Sequence, residues 1–273
     1  MPEDLHHLAL PSHRVWNRGG ARPVLALHCS LAHAGAWSGL VEHLSGVTVT
    51  ATDAPGHGRA PDWLPTQDMH ARATAESIAM AEVLAGGGPI DLFGHSFGGT
   101  VALRIAVERP DLVRSLTLVE PVIFAAADAA HDAAYAPFRA AHLTFGALVQ
   151  AGQRAEAAAL FHAQWGTGDR FADLAERAQS YMLDRIHLIV AQNAVLLDDA
   201  AGILRAGGLE AIQAPVLLMD GAVSPPIIEA VHTALAARLR HVQRLTVPGA
   251  GHMVSITHAA AVAPAVQAHL DGC

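Results

Sequence analysis

The chain has 273 residues, a formal net charge of -8, 52% hydrophobic and 15% charged residues, which suits one large α/β domain carrying an insertion. All 17 basic residues are arginine, which excludes a lysine Schiff base, a pyridoxal-phosphate anchor and a P-loop lysine. An acidic chain without a basic cluster argues against nucleic acid as a partner, the 18 histidines fall in no metal-ligand spacing, and no apolar run reaches the ~18 to 20 residues that span a bilayer. No metal, cofactor, nucleic acid or membrane is therefore expected. The segment Met1-Pro2-Glu3-Asp4-Leu5-His6-His7 lacks the basic and apolar regions of a secretory signal, so the cytoplasm is the expected location. Cys29 and Cys273 are far apart in sequence and are read as free thiols.

In chain order, the first strand is predicted at 24–28 and runs into Cys29-Ser30, followed by a helix over 36–44. A strand at 47–52 leads into the turn Asp53-Ala54-Pro55-Gly56-His57-Gly58-Arg59, and a helix covers 69–84. Asp53, His57 and Arg59 are read as shaping that turn.

The strand at 90–93 then enters Gly94-His95-Ser96-Phe97-Gly98-Gly99. A strand that turns sharply into a helix holds its turn residue in a strained conformation, and the positions two before and two after must be small. Gly94 and Gly98 meet that need, which makes Ser96 a candidate nucleophile at a nucleophile elbow. A helix over 100–108 stops at Arg109-Pro110, because proline cannot continue it.

The strand at 113–119 ends in Glu120-Pro121. From Glu120 to Gln213 the alternation of strand and helix stops, and an alanine-rich stretch carries helical pattern over 125–147, 154–164, 171–184 and 186–197. This reads as an inserted helical cap over the C-terminal strand ends, where open α/β sheets bind ligands. The division expected is 1–123 and 208–273 for the core and 124–207 for the cap. The last elements are a strand at 216–219, a helix over 226–237, a strand at 242–247 and a helix over 258–269. The overall expectation is an α/β fold with a mostly parallel central sheet and helices on both faces.

Pro248-Gly249-Ala250-Gly251-His252 follows the last strand. A small-residue loop at a strand's C-terminal edge puts His252 within reach of a serine on a neighbouring strand, so His252 is the candidate base.

With these motifs in place the chain resembles the α/β-hydrolase fold family, over nearly its whole length apart from the cap. Leu25 to Ser30 resembles the oxyanion loop, although Cys29 stands where glycine is usual, and 53–59 resembles the turn one strand later. The resemblance implies that Ser96 attacks an acyl carbonyl, that His252 moves the proton, and that the N–H groups of Phe97 and Ser30 hold the oxyanion. The family's acid commonly follows the strand at 216–219, but here the turn reads Gly221-Ala222-Val223-Ser224. Some members carry the acid one strand beyond the nucleophile, which implicates Glu120, with Asp220 in reserve. Otherwise Glu120 would pair with a cap arginine, Arg139 or Arg185. The implied activity is hydrolysis of a small or medium carboxylic ester through an acyl-enzyme, with a small-molecule acyl substrate as partner. The alternatives are a non-catalytic small-molecule binder on this scaffold and a cofactor-free perhydrolase.

Overall fold

The computed structural model describes residues 10–273, so the N-terminal segment read above for targeting signals lies outside the described residues. Six strands form one sheet in the order β2-β1-β3-β4-β5-β6, with β1 at His13–Leu27, β2 at Val47–Thr52, β3 at Ile90–His95, β4 at Val113–Val119, β5 at Val216–Gly221 and β6 at Val242–Val247. The strands β3 to β6 are parallel to their neighbours, and residues 24–27 of β1 run parallel to β3.

Strand β1 is longer than the sequence reading allowed. Its second half pairs with β2 in rising register, from Arg22 opposite Val47 to Leu27 opposite Thr52. Its first half runs back along the same strand, from His13 opposite Thr52 to Arg18 opposite Val47. Gly19, at φ 85°, lies at the reversal, so β2 lies between the two halves of β1. The first half is mostly exposed and polar in sequence, which is why it carries no apolar strand signature.

Alternate residues of the buried strands serve the two faces of the sheet, as a period of two requires. Leu25, Leu92, Leu118 and Leu218 pack with buried residues of α2 (Met69–Ala85), α3 (Phe97–Glu108) and α10 (Pro226–Ala236). Ala26, Phe93, Val119 and Leu217 pack on the other face with Leu40 of α1 (Ser38–Val41), Val254 of α11 (Val254–Thr257) and Val262 of α12 (Ala259–Asp271). At the start of β3, Asp91 is fully buried and accepts from Arg22 Nε (2.6 Å), Arg114 Nη1 (3.0 Å) and Ser115 Oγ (2.7 Å). A buried carboxylate needs such partners to remain charged.

Between β4 and β5 lie α4 (Ala125–Ala129), α5 (Tyr135–Gln150), α6 (Arg154–Trp165), α7 (Glu176–Arg185), α8 (His187–Val190) and α9 (Asn193–Leu196). The single helix expected over 125–147 is two, broken at His131 with φ 55° and restarted where Asp132 Oδ1 accepts from Ala134 N–H at 2.8 Å. The helix expected over 171–184 begins as a tight turn at Phe171–Asp173, and that over 186–197 is two short pieces. Alanine is compatible with every face of a helix, so runs of it hide these breaks. The insert has a small core of its own, including Phe145, Ala157, Ala158, Ile186 and Ile189. Among the described residues, no helix is long and apolar enough to cross a membrane.

Candidate active site

Strand β3 ends at His95 and α3 begins at Phe97, leaving Ser96 alone at the turn with φ 54° and ψ -117°. That backbone is strained for a residue with a Cβ. It is held by the Ser96 N–H, which donates to Val119 O at 2.9 Å. The flanking glycines are needed for space: a Cβ on Gly94 would meet Gly98 O at 2.5 Å, and one on Gly98 would collide with the Leu27 carbonyl. Ser96 is 6% exposed and lines a cavity with His252, Cys29 and Ser30.

Glu120 lies just past β4 at φ 43°, and its N–H donates to Met219 O at 2.9 Å. This backbone turns the carboxylate across the end of β5. Oε1 accepts from the Gly221 N–H at 2.8 Å and from Ser224 Oγ at 2.5 Å, while Oε2 meets His252 Nδ1 at 2.5 Å. With Nδ1 committed to a carboxylate, Nε2 is the ring nitrogen left to exchange a proton. Burial alone raises the Glu120 pKa, but the hydrogen bonds from His252, Ser224 and Gly221 outweigh it and hold the carboxyl below its usual range.

The expected alternatives for Glu120 are taken by other groups. Arg139 pairs with Asp198 at 3.3 Å, and Arg185 donates to Gly56 O at 3.1 Å. Asp220 accepts from Thr246 Oγ1 at 3.1 Å and lies 3.4 Å from His232 Nδ1, and among the described residues it makes no hydrogen bond to His252.

The loop after β1 is fixed by His28, which accepts from the Ala54 N–H at Nε2 (2.9 Å) and therefore donates from Nδ1 to Cys29 O (2.7 Å). Among the described residues, neither the Ser30 N–H nor the Phe97 N–H is bonded to another protein group, so both donors are available to a ligand. The Phe97 side chain is buried away from this cavity, against His70. Cys29 is buried, which pushes its thiol up to about 12, the state of an inert side chain.

Three further residues surround the site. Trp165, at the end of α6, stacks edge-on to His252 with centroids 4.7 Å apart. Gln192 Oε1 accepts from Ser30 Oγ at 2.9 Å, tying the loop to the insert. His95 donates from Nε2 to the His252 carbonyl at 2.9 Å, and burial lowers its pKa to about 3, so the elbow strand steadies the histidine loop with a neutral ring. The cavity is about 50 Å³ and otherwise mostly apolar, with Val122, Phe124, Phe161, Ile189, Leu196 and Met253 in its wall.

The chain is similar to known proteins over most of its length. The chain is 36% identical over 104 residues to the lipase LipV of Mycobacterium tuberculosis, a match covering 38% of this chain and 39% of that protein. It is 23% identical over 266 residues to the (E)-2-((N-methylformamido)methylene)succinate hydrolase of Acinetobacter baylyi, covering 94% and 93% of the two chains. The crystal structure of an alpha/beta hydrolase from Sphaerobacter thermophilus superposes with a TM-score of 0.68 at 22% identity, covering 96% of this chain and 99% of that one. Residues 22–259 match the family model described as alpha/beta hydrolase fold, and this chain is an enzyme of the alpha/beta hydrolase fold family.

Proposed function

We propose that this hydrolase cleaves a small carboxylic ester through a covalent acyl-enzyme on Ser96. The observation that carries the reading is the Glu120–His252 pair at 2.5 Å beside a cavity that Ser96 shares with His252. Ser96 Oγ attacks the ester carbonyl as His252 Nε2 takes its proton, and Glu120 stabilises the resulting imidazolium. The carbonyl oxygen becomes an oxyanion between the Ser30 and Phe97 N–H groups. Collapse of the intermediate breaks the carbon–oxygen bond, and the imidazolium returns the proton to the leaving alcohol. Water then repeats the sequence on the acyl-enzyme, releasing the acid and restoring Ser96.

The chain divides in this reading into core segments 1–123 and 208–273 and a cap, 124–207, whose Trp165 and Gln192 close the site. The cavity, about 50 Å³ with a mostly apolar wall, favours a short apolar acyl chain. Ser224, whose place in the usual acid turn motivated the non-catalytic alternative, instead supports Glu120 as an acid. Hydrolysis of p-nitrophenyl butyrate tests the proposal. The parent is expected to turn it over with a phase of acyl-enzyme accumulation, and Ser96→Ala and His252→Ala are each expected to lose at least about 10³-fold in kcat. Equal turnover by parent and Ser96→Ala would refute it.

A further inference from the structure

A second cavity, of about 790 Å³, opens behind the loop that carries Ser30. Its wall includes Leu31 to Ala36, Arg14 from β1, Arg59 from the turn after β2, and Arg177 and Tyr181 from α7. Nine other arginines pair with carboxylates. Arg14, Arg59 and Arg177 have no such partner among the described residues. Arg14 lies 5.6 Å from the Trp16 ring centroid and Arg59 donates to His13 O at 3.2 Å, so the observed contacts of both are neutral.

One carboxylate shares this wall and makes no ion pair with them among the described residues. Asp53 is 4% exposed and accepts from Ser12 Oγ (2.8 Å), the Ala34 N–H (2.7 Å) and the Arg59 N–H (3.0 Å). Glu176 and Asp184 of α7 line a neighbouring depression that also holds Arg177 and Arg185. The wall is braced by Tyr181, whose hydroxyl accepts from the Gly58 N–H at 2.9 Å and donates to Ala32 O at 2.8 Å. In a chain of net charge -8, a concave site lined by three guanidinium groups and one buried carboxylate keeps an excess of positive charge that concentrates anions, and arginine forks suit carboxylate and phosphate oxygens.

The two cavities share one loop. Cys29 and Ser30 face the one containing Ser96, and Leu31, at φ 60°, faces the other. We propose that the arginine-lined cavity binds a carboxylate or phosphate group, either the anionic end of the ester that reacts at Ser96 or a separate small anion. The first source rests on the hydrolase reading, and the second does not.

Calorimetric titration with glutarate and with pyrophosphate tests the site. At least one is expected to bind the parent at one site per chain, weakened at least tenfold in Arg59→Ala/Arg177→Ala. Binding is expected to be unchanged in Arg154→Ala/Arg240→Ala, which removes the same charge elsewhere. No saturable binding to the parent, or equal weakening in both double variants, would overturn the site. A kinetic arm separates the sources by comparing the mono-p-nitrophenyl ester of glutaric acid with p-nitrophenyl butyrate. A tenfold fall in the ratio of their kcat/KM values in Arg59→Ala/Arg177→Ala assigns the cavity to the substrate. An unchanged ratio with lost glutarate or pyrophosphate binding assigns it to a separate anion. Saturable anion binding by a parent that hydrolyses neither ester would refute the ester-hydrolysis reading and leave the site standing.

Discussion

At Glu120 the backbone turns through a positive φ of 43°, and one carboxylate gathers a backbone N–H, a serine hydroxyl and the imidazole of His252. Replacing it by glutamine keeps the shape and removes the charge that fixes the His252 tautomer. Glu120→Gln is expected to lower kcat by about 10² to 10⁴. Ser224→Ala leaves Oε1 its Gly221 donor and is expected to cost about tenfold, since one hydrogen bond to a charged group is worth about 1.5 kcal/mol or more. Asp220→Asn, whose carboxylate bonds Thr246 and not His252, is expected to stay within about threefold. Steady-state rates on one ester decide among them, and loss in Asp220→Asn with normal Glu120→Gln would reverse the assignment. Ser96, His252 and Glu120 were legible because glycine spacing, a small-residue loop and a strand-end carboxylate are local signals. Ser224 was legible only as an absence, because its task depends on a partner 104 positions away.

Helix α6 brings Trp165 against His252 and thereby sets one wall of the cavity that holds Ser96. Trp165→Ala enlarges a cavity of about 50 Å³, and the preference is expected to move from butyryl toward octanoyl esters by at least tenfold in relative kcat/KM, since each methylene matched by a pocket is worth about 1 kcal/mol or more. An unchanged chain-length profile would show that Trp165 does not limit the acyl group. The core strands were legible because buried parallel strands read as continuous apolar runs. The first half of β1 was not, being polar and exposed on the sheet edge. Nor was Trp165, since an aromatic residue among alanines signals packing as readily as contact with a site.

For the whole molecule, the buried histidines link folding to pH. Burial, the largest cause in each case, lowers His28 to about 4 and His57, His70 and His95 to about 3. Below pH 6.5 the unfolded chain protonates these rings while the folded chain does not, so the unfolded state binds more protons and stability falls with pH. Each contributes a slope approaching about 1.4 kcal/mol per pH unit once well below 6.5. Stability is therefore complete above about pH 6.5 and drains as pH falls toward 4. Four such groups acting together can exhaust a typical stability of about 5 to 15 kcal/mol within about two to four pH units. Glu120 adds to this at lower pH: its depressed carboxyl contributes above the ordinary carboxylate range and loses that contribution as pH falls through its own pKa. Circular dichroism against pH is expected to show cooperative unfolding on acidification below pH 6.5, complete by about pH 4. A native spectrum and an unchanged Tm at pH 4 would contradict the neutral burial of these rings.

Whether Ser96 is an activated nucleophile is read by intact-mass measurement after incubation with a fluorophosphonate. One adduct per chain is expected, mapped to Ser96, absent in Ser96→Ala and formed much more slowly in Glu120→Gln. Folded protein that takes up no adduct, or takes it up on another residue, would contradict that expectation.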